Sequence, residues 1–313
     1  MAKRIILFEI SNYYYMNIHI LDLEFLAESQ SIASFLVESS DGLILVESGP
    51  ETTFEHLKKA INQKGFDWKE IRHILLTHIH FDHAGAAWKF AKNEAKIYVH
   101  PIGLPHLQNP EKLWNSAKMI YQDDMDRLWG NMEPIDENLL VSADEGDILK
   151  IGECEFHVHY TPGHAIHHNA YQLKNVVFTG DVAGVKINSG PVVPPCPPPD
   201  INIKLWKESI QKLRNLNAEK LYLTHFGVVE SPNEHFSELE IILDDWANWM
   251  KPHFDAGTSP EEITPKFMEY TRNQLKKEGV PEEDLVRYEY ANPSWMSVSG
   301  LLRYWKLKEQ GRI

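Results

Sequence analysis

Three histidines and one aspartate lie within six residues of this chain: His78, His80, Asp82 and His83. The segment follows an apolar run that predicts a buried strand over 71–76, and it precedes a predicted helix. Imidazole and carboxylate are the usual protein ligands of zinc, iron and manganese. Because alternate side chains of an extended segment point the same way, His78 and His80 can share one metal ion. The turn into the helix then directs Asp82 and His83 toward a second position.

Three further polar residues, His164, Asp181 and His225, each come just after an apolar segment that predicts a strand. Loops at strand ends are where α/β folds usually place their sites. If these strands are neighbours in one or two sheets, the polar residues gather at one edge. Five histidines and two aspartates are then enough for two metal ions with one bridging carboxylate and a bridging water.

The remaining pattern is that of a mixed α and β chain. Residues 32–47 predict two strands joined by a turn at Asp41-Gly42. Residues 105–140 look mainly helical, and the segment 190–199, with six prolines, predicts an ordered loop. Helices are predicted over 51–64, from near 84 to 91, and over 203–216, and further strands over 97–99, 156–160, 176–178 and 221–223.

The order His78-x-His80-x-Asp82-His83, then His164, Asp181 and His225, resembles the signature of the metallo-β-lactamase-fold hydrolases. The resemblance covers roughly residues 1–230 and implies an α+β fold, an αββα sandwich with the site at one end. The ligand set that it implies has two groups and a bridge: His78, His80 and His164 for the first metal ion, Asp82, His83 and His225 for the second, and Asp181 between them. The implied cofactors are two divalent ions, zinc first, with iron or manganese as alternatives.

Within this superfamily the motif is similar to those of glyoxalase II, the lactonases and ribonuclease Z. Class B1 β-lactamases carry a cysteine where Asp181 stands, so β-lactam hydrolysis is not the expected main activity. The family's early strand often ends in Asp-Thr-Gly, whereas this chain has Glu47-Ser48-Gly49. Glu47 is expected to orient ligands rather than to bind metal, so the departure bears on ligand orientation.

The pattern changes after about residue 230, where no strand is predicted and helices are predicted over 234–252, 259–279 and 294–309. Ser259-Pro260 and Pro281 mark helix starts. We therefore expect a catalytic domain over 1–230 and a helical accessory region over 231–313. As the helical domain of glyoxalase II does, these helices are expected to shape the substrate pocket.

Charge and cysteine content narrow the possible partners. Lys+Arg number 31 and Asp+Glu 45, so the net charge is 31 − 45 = −14. That charge argues against a nucleic-acid partner, and so against a ribonuclease Z activity, and against attachment to an anionic membrane. Two cysteines cannot build a disulfide framework, the apolar run at 1–9 is too short for a signal peptide, and no segment has the ~20 apolar residues of a membrane span. The expectation is a cytoplasmic protein with a small-molecule substrate and an oligomeric state that the sequence leaves open.

The other histidines and Cys196 carry weaker expectations. His100 and His106 flank prolines and are candidates for lining a pocket, and the proline loop is a candidate wall. His168 is a candidate for supporting a ligand. No such role is expected of His73, His157, His159 or His167, and Cys196 is not expected to be a nucleophile because nothing nearby marks a base.

The favoured function is a binuclear metal-dependent hydrolase that uses a metal-bridging hydroxide to cleave an activated acyl bond. A thioester or a lactone is preferred over a phosphoester, and Asp82 is the candidate catalytic residue because it is placed to exchange a proton. The alternative is a mononuclear iron oxygenase of the persulfide dioxygenase type, with His78, His80 or a neighbour, and Asp181 as a facial triad. A non-catalytic metal protein is weakest, because seven ligands leave open positions on two ions.

Overall fold

The computed structural model describes residues 17–313, so the run at 1–9 lies outside the described residues. Its strands form two six-stranded sheets. The first sheet pairs in chain order and consists of β1 (Ile18–Asp22), β2 (Ala33–Val37), β3 (Leu43–Val46), β4 (Ile71–Leu75), β5 (Lys96–Val99) and β6 (Leu140–Ser142). The second sheet also pairs in chain order and consists of β7 (Ile148–Ile151), β8 (Cys154–Tyr160), β9 (Asn169–Leu173), β10 (Val176–Phe178), β11 (Lys220–Leu223) and β12 (Gly227–Val229).

Both sheets are mixed. The predicted hairpin over 32–47 is confirmed, since β2 and β3 pair antiparallel around the turn at Gly42. Strands β3 to β6 are parallel to one another, as are β10 and β11. Parallel strands bring their carboxyl ends to the same edge of a sheet, and this is the edge that receives the segment following β4.

Helices cover the outer faces of both sheets. The helices that precede residue 230 are α1 (Phe54–Gln63), α2 (Phe81–Ala84), α3 (Ala87–Ala91), α4 (Leu104–Gln108), α5 (Glu111–Tyr121), α6 (Met125–Trp129) and α7 (Ile203–Asn215). One apolar core lies between the sheets, around Phe35, Phe156 and Phe178. A second lies under α1, and a third lies under α7. The predicted αββα sandwich is confirmed.

The sequence prediction differs from the structure in several elements. The helix predicted from near residue 84 is two short helices, α2 and α3, separated at Gly85-Ala86. Residues 105–140 hold three short helices rather than one largely helical stretch, and β6 begins at Leu140. Strands β1, β6, β7, β9 and β12 were not predicted. Strand β9 contains Asn169 and Gln172, and β12 is only three residues long, so neither shows the run of β-branched or aromatic residues that identifies a strand.

Four helices follow residue 230: α8 (Pro232–Asp255), α9 (Pro260–Lys277), α10 (Glu282–Ala291) and α11 (Ser294–Glu309). Three correspond to the predicted ranges, and α10 begins at the helix start predicted at Pro281. Ser259 caps α9 by accepting a hydrogen bond from the backbone N–H of Glu262. Apolar residues of these helices, such as Phe236 and Leu301, share one core with α7 and the second sheet. The domain boundary near 230 stays a prediction. Among the residues 17–313, no helix combines the length and apolar character needed to cross a bilayer.

Helix α11 packs tightly on the proline loop at Gly300. A Cβ at position 300 would lie 1.9 Å from the Cys196 carbonyl oxygen, a backbone atom that cannot move alone. In an open helix, Gly→Ala is stabilising by about 1 kcal/mol. We expect Gly300→Ala instead to lower the free energy of unfolding by about 1–3 kcal/mol, measured by urea denaturation. Lys306→Ala, exposed on the same helix, is the control and should change it by less than about 0.5 kcal/mol. A neutral or stabilising Gly300→Ala would show that the helix and loop are not in this contact.

His235 joins the first turn of α8 to the second sheet. Its Nε2 donates to the Ala183 carbonyl oxygen at 2.7 Å. Burial, assisted by the charge of Lys186, lowers the pKa of His235 to about 4, although the Ala183 bond opposes the shift. The unfolded chain therefore binds this proton at higher pH than the folded chain, and stability should rise with pH between about 4 and 6.5. We expect His235 to account for about 3 kcal/mol of that rise. His235→Gln keeps an N–H donor but does not titrate. In urea titrations across this window, its free energy of unfolding should rise less steeply with pH than that of the wild type. An equal rise in both proteins would contradict the assignment to His235.

Candidate metal centre

The seven predicted ligands lie together where strands of both sheets end. His78 and His80 follow β4, and Asp82 and His83 occupy the first turn of α2. The other three residues come from three ends of the second sheet: His164 after β8, Asp181 after β10 and His225 after β11. We call these seven residues the His/Asp cluster. The structure brings all of them to one place, and their role as metal ligands stays a prediction.

The first group consists of His78, His80 and His164, whose ligand atoms lie within 4.8 Å of one another. The Nδ1 atom of His80 lies 2.9 Å from Nε2 of His78 and 3.0 Å from Nε2 of His164. His80 thus faces the group through Nδ1, whereas the other two imidazoles face it through Nε2. This is the trio that the family resemblance implied, and it includes the pair that alternation along an extended segment predicted.

Backbone carbonyls fix the tautomers of His164 and His225. Nδ1 of His164 lies 2.9 Å from the Pro195 carbonyl oxygen, and Nδ1 of His225 lies 2.7 Å from that of Ser31. A carbonyl oxygen only accepts hydrogen bonds, so each Nδ1 must carry a proton. The Nε2 lone pair of each neutral ring is therefore free and directed into the cluster, as a metal-binding histidine requires.

Glu47 and Thr77 hold His78 in the same manner. The hydroxyl of Thr77 donates to the Glu47 carboxylate in a short hydrogen bond, and the Thr77 backbone N–H donates to it at 3.3 Å. Having used its proton on Glu47, the Thr77 hydroxyl accepts from Nδ1 of His78 at 3.0 Å. Glu47 is fully buried and adopts a φ of 65°, a left-handed conformation that is costly for a residue with a side chain. The residue that departs from the family's usual aspartate thus orients His78.

The second group consists of Asp82, His83 and His225, again with ligand atoms within 4.8 Å of one another. Asp181 lies between the groups. Its Oδ1 is 3.2 Å from Nε2 of His83 and 3.5 Å from Nε2 of His225, and its Oδ2 is 3.3 Å from Nε2 of His164. One carboxylate therefore reaches both groups, the position predicted for a bridge.

Several buried polar atoms of the cluster have no hydrogen-bond partner among the described residues: both ring nitrogens of His83, Oδ1 of Asp181 and Nε2 of His225. Leaving such groups unsatisfied in the interior costs about 1–3 kcal/mol each, more where the group is charged. A shared divalent cation would satisfy these atoms at once. The donor set of imidazole nitrogens and carboxylate oxygens suits zinc, iron or manganese, so the residues fit the metal ions that the sequence predicts.

The electrostatics of the cluster also favour a cation. Burial by itself raises the pKa of Asp181, but the imidazoles of His83, His164 and His225 lower it well below its ordinary value. Burial lowers the pKa of His80 to about 3, with His164 adding to the effect. Burial opposes protonation of His83, yet the carboxylates of Asp181, Asp82 and Glu47 raise its pKa well above the usual value. Asp181 thus remains anionic in the interior, where positive charge on its neighbours stabilises it.

His168 holds the backbone of Asp181 in place. Its Nδ1 is 2.8 Å from the Thr161 hydroxyl, and its Nε2 accepts from the Asp181 backbone N–H at 3.2 Å. Gly180, with a φ of 49°, allows this approach, because a Cβ there would lie 2.4 Å from the Thr77 hydroxyl and 2.8 Å from Nε2 of His168. His168 therefore occupies the supporting position for which the sequence made it a candidate.

A cavity of about 1170 Å³ opens onto the cluster at His80, Asp82 and Asp181. His106 and the proline loop, through Pro195 and Pro197, line it, in agreement with the sequence. His167 lines it too, with a buried Nδ1 that has no hydrogen-bond partner within 17–313, although the sequence assigned it no role. Its place three residues after His164 was the available signal.

The other side chains with weak expectations lie away from the cavity. His100 stacks on Tyr160 with ring centroids 4.6 Å apart, and His73 pairs with Tyr98. Cys196 is fully buried, and burial raises the pKa of its thiol far above the usual value, which disfavours a nucleophilic thiolate.

The aromatic residues Tyr121 and Trp295 do line the cavity, and sequence reasoning missed both as site residues.

An αββα sandwich with histidines and aspartates at the strand ends defines a class of proteins built around a metal centre. A model of the metallo-β-lactamase superfamily matches residues 30–225, more than half of the chain. The chain therefore belongs to the metallo-β-lactamase superfamily, and the resemblance seen in its motifs is confirmed.

Relatives of this chain span much of its length. A metallo-β-lactamase-fold protein from Sulfurisphaera tokodaii is 30% identical over 213 residues, 66% of this chain and 79% of that protein. A hydroxyacylglutathione hydrolase from Buchnera aphidicola is 29% identical over 127 residues, 41% of this chain and 38% of the hydrolase. The structure of a metallo-β-lactamase family protein from Thermus thermophilus matches 94% of both chains with a TM-score of 0.67 at 19% identity. That last likeness shows the fold alone, and it extends over nearly the whole chain.

The position of Asp181 between the groups predicts which ligand matters most. Asp181→Ala should lose more bound metal and more activity than His225→Ala, because it removes a negative charge shared by both groups. Even two unit charges about 4 Å apart repel by about 4 kcal/mol at an effective dielectric constant near 20. Metal content by mass spectrometry and turnover are the measurements. Asp126→Ala, an exposed aspartate outside the cavity, is the control. An Asp181→Ala protein that keeps two metal ions and most of its rate would exclude a bridging role.

Proposed function

We propose that this chain is a metal-dependent hydrolase that holds two divalent ions, zinc first, and cleaves an activated acyl bond of a small molecule. The observation that carries the proposal is Asp181, whose buried, unpartnered Oδ1 faces Nε2 of His83 and of His225 while Oδ2 faces His164. A thioester or lactone is preferred over a phosphoester. Divalent ions in such a site lower the pKa of bound water from about 15.7 toward 7 and polarise a carbonyl oxygen.

The protein presents the cluster to substrate from one side only. His80, Asp82 and Asp181 line the cavity, whereas His78, His83, His164 and His225 lie behind them and are almost fully buried. Substrate therefore approaches past His80 and Asp82. Three of the buried histidines are held by Thr77 or by backbone carbonyls, so these rings have little freedom to rearrange. A rigid site of this kind favours reaction because its groups need no reorganisation.

Asp82 is the candidate for moving a proton. Its Oδ2 is 3.5 Å from Nε2 of His225 and 3.8 Å from Nε2 of His83, and its side chain keeps 21% exposure toward the cavity. Burial alone would raise its pKa, but His83 and His225 lower the pKa of Asp82 to about 2, so the carboxylate is anionic at neutral pH. An anionic carboxylate next to the substrate can accept a proton from attacking water and return it to the leaving group.

The rival is a mononuclear iron oxygenase of the persulfide dioxygenase type. One observation favours it: His78, His83 and Asp181 bring two histidines and one carboxylate within 4.8 Å of one another. The complete second group, Asp82, His83 and His225, gives the hydrolase ligands for a second ion, whereas a mononuclear oxygenase needs ligands for only one. The two functions differ in metal content and in their need for oxygen.

The test uses the purified full chain. We expect about two metal ions per chain, and turnover of at least one member of a panel of thioesters, lactones and phosphodiesters under nitrogen as well as air. Chelation should abolish turnover and added zinc should restore it. His78→Ala should lose activity on the same substrate by at least about 100-fold, and Asp126→Ala should retain it.

Two results would overturn the proposal. One iron ion per chain with oxygen consumption on a persulfide would favour the oxygenase. Two bound metal ions with no turnover of any panel member, including short and long acyl chains, would favour a non-catalytic metal protein.

A further inference from the structure

The walls of the cavity come largely from elements outside the two sheets. Helix α5 supplies Leu113, Ala117 and Tyr121, and the start of α11 supplies Trp295 and Met296. The cavity of about 1170 Å³ exceeds the 300–1,000 Å³ typical of drug-sized ligands. An acyl group of two or three carbons would leave most of that volume unused. The site therefore has room for a long substituent beyond the reacting bond.

The cavity lining includes several hydrophobic side chains that remain exposed. Four of its lining residues are large hydrophobic side chains that stay more than a third exposed: Ile102, Ile120, Ile166 and Tyr290. Isolated exposed hydrophobic residues are common, but a group of them around one opening marks a site that binds apolar ligands. Because this opening leads to His80 and Asp82, the ligand in question is the substrate.

The charges on the lining disfavour an anionic substrate. Apart from the cluster, the acidic lining residues are Asp123, Asp124, Asp200 and Glu289, against the basic residues Lys112 and Arg127. Arg127 is already paired with Asp124, with 3.0 Å between Nε and Oδ1. Outside the cluster, the phosphates of a carrier thioester would meet more acidic than basic side chains. A neutral ester or lactone needs no basic partner there.

The aromatic side chains define where a chain would lie. Tyr121 and Trp295 meet edge to face with ring centroids 5.5 Å apart, so α5 and the start of α11 form one continuous aromatic wall of the cavity. Ala117 lies one turn before Tyr121 on the same helix and is a small, buried residue of this wall. Its methyl group leaves space that a larger side chain would fill.

Resting on the proposed hydrolase function, we propose that the substrate is an uncharged ester or lactone with an apolar chain of about six carbons or more. The chain lies along the wall that α5 and the start of α11 form, and Ala117 and Trp295 set its length. Hydrolysis then breaks the bond between the acyl carbon and the alcohol oxygen and joins the oxygen of water to the acyl carbon. The alcohol oxygen takes one proton, and a carboxylic acid and an alcohol form without any redox change.

The first test varies chain length and charge. With neutral esters of two to ten acyl carbons, kcat/KM should rise at least about 30-fold from two to eight carbons, since each buried methylene strengthens binding. A coenzyme A thioester of the eight-carbon acid should be at least about tenfold poorer than a neutral thioester of the same acid. The double variant Asp123→Asn with Asp124→Asn should bring the kcat/KM of the coenzyme A thioester closer to that of the neutral thioester.

The second test changes the cavity wall that α5 forms. Ala117→Trp should lower the ratio of kcat/KM for the eight-carbon ester to that for the two-carbon ester by at least about tenfold, because the added ring occupies the chain's path. Asn115→Trp adds the same ring on the exposed side of α5, outside the cavity, and should keep the ratio. If Ala117→Trp does not fold, Ala117→Leu carries the test with an expected fall of about threefold.

A binding measurement separates this inference from the proposed function. Measured by tryptophan fluorescence, the Kd of 2-decanone should be at least about tenfold lower than that of 2-butanone. In Ala117→Trp or Ala117→Leu the two Kd values should lie closer together. Turnover without any chain-length preference, together with equal binding of the two ketones, would overturn the inference and leave the hydrolase intact. Preferential ketone binding without turnover of any ester, thioester, lactone or phosphodiester would support the apolar cavity and overturn the hydrolase.

Discussion

The fold depends on neutralising buried carboxylates. Glu47, Asp82 and Asp181 converge on His83, and two of the three are almost completely buried. Charge in the interior is tolerated only when it is paired and hydrogen-bonded. Each carboxylate comes from a different strand end, so the two sheets can close over the site only when their charges are balanced there. Carboxylates from both sheets are therefore balanced within one cluster.

The ligand pattern was predictable because it depends on local order. An apolar strand followed at once by His164, Asp181 or His225 places a polar side chain at a sheet edge, whatever the rest of the chain does. Strand β9 was missed for the opposite reason. Its Asn169 and Tyr171 serve tertiary contacts, with the Asn169 side chain donating to Ala143 and the Tyr171 hydroxyl donating to Leu76, and such contacts leave no periodic signal.

The cavity was less predictable than the cluster. Its walls belong to helices that are distant in the chain, and the meeting of Tyr121 with Trp295 depends on how α5 and α11 pack across the whole molecule. From sequence, tryptophan on an amphipathic helix is indistinguishable from an ordinary core residue. The His/Asp cluster thus depends on a short sequence motif, whereas the shape of the cavity depends on the packing of helices that are distant in the chain.

The close approach of Gly300 to Cys196 has a consequence for how proteins of this kind can diversify. Cys196 follows Pro195, whose carbonyl oxygen holds the ring of His164, so α11 packs against the residue next to the one that orients a candidate ligand. The C-terminal helices are therefore not an interchangeable module. A recombination that replaced them would have to supply a matching loop, and substrate range and metal retention would change together during evolution.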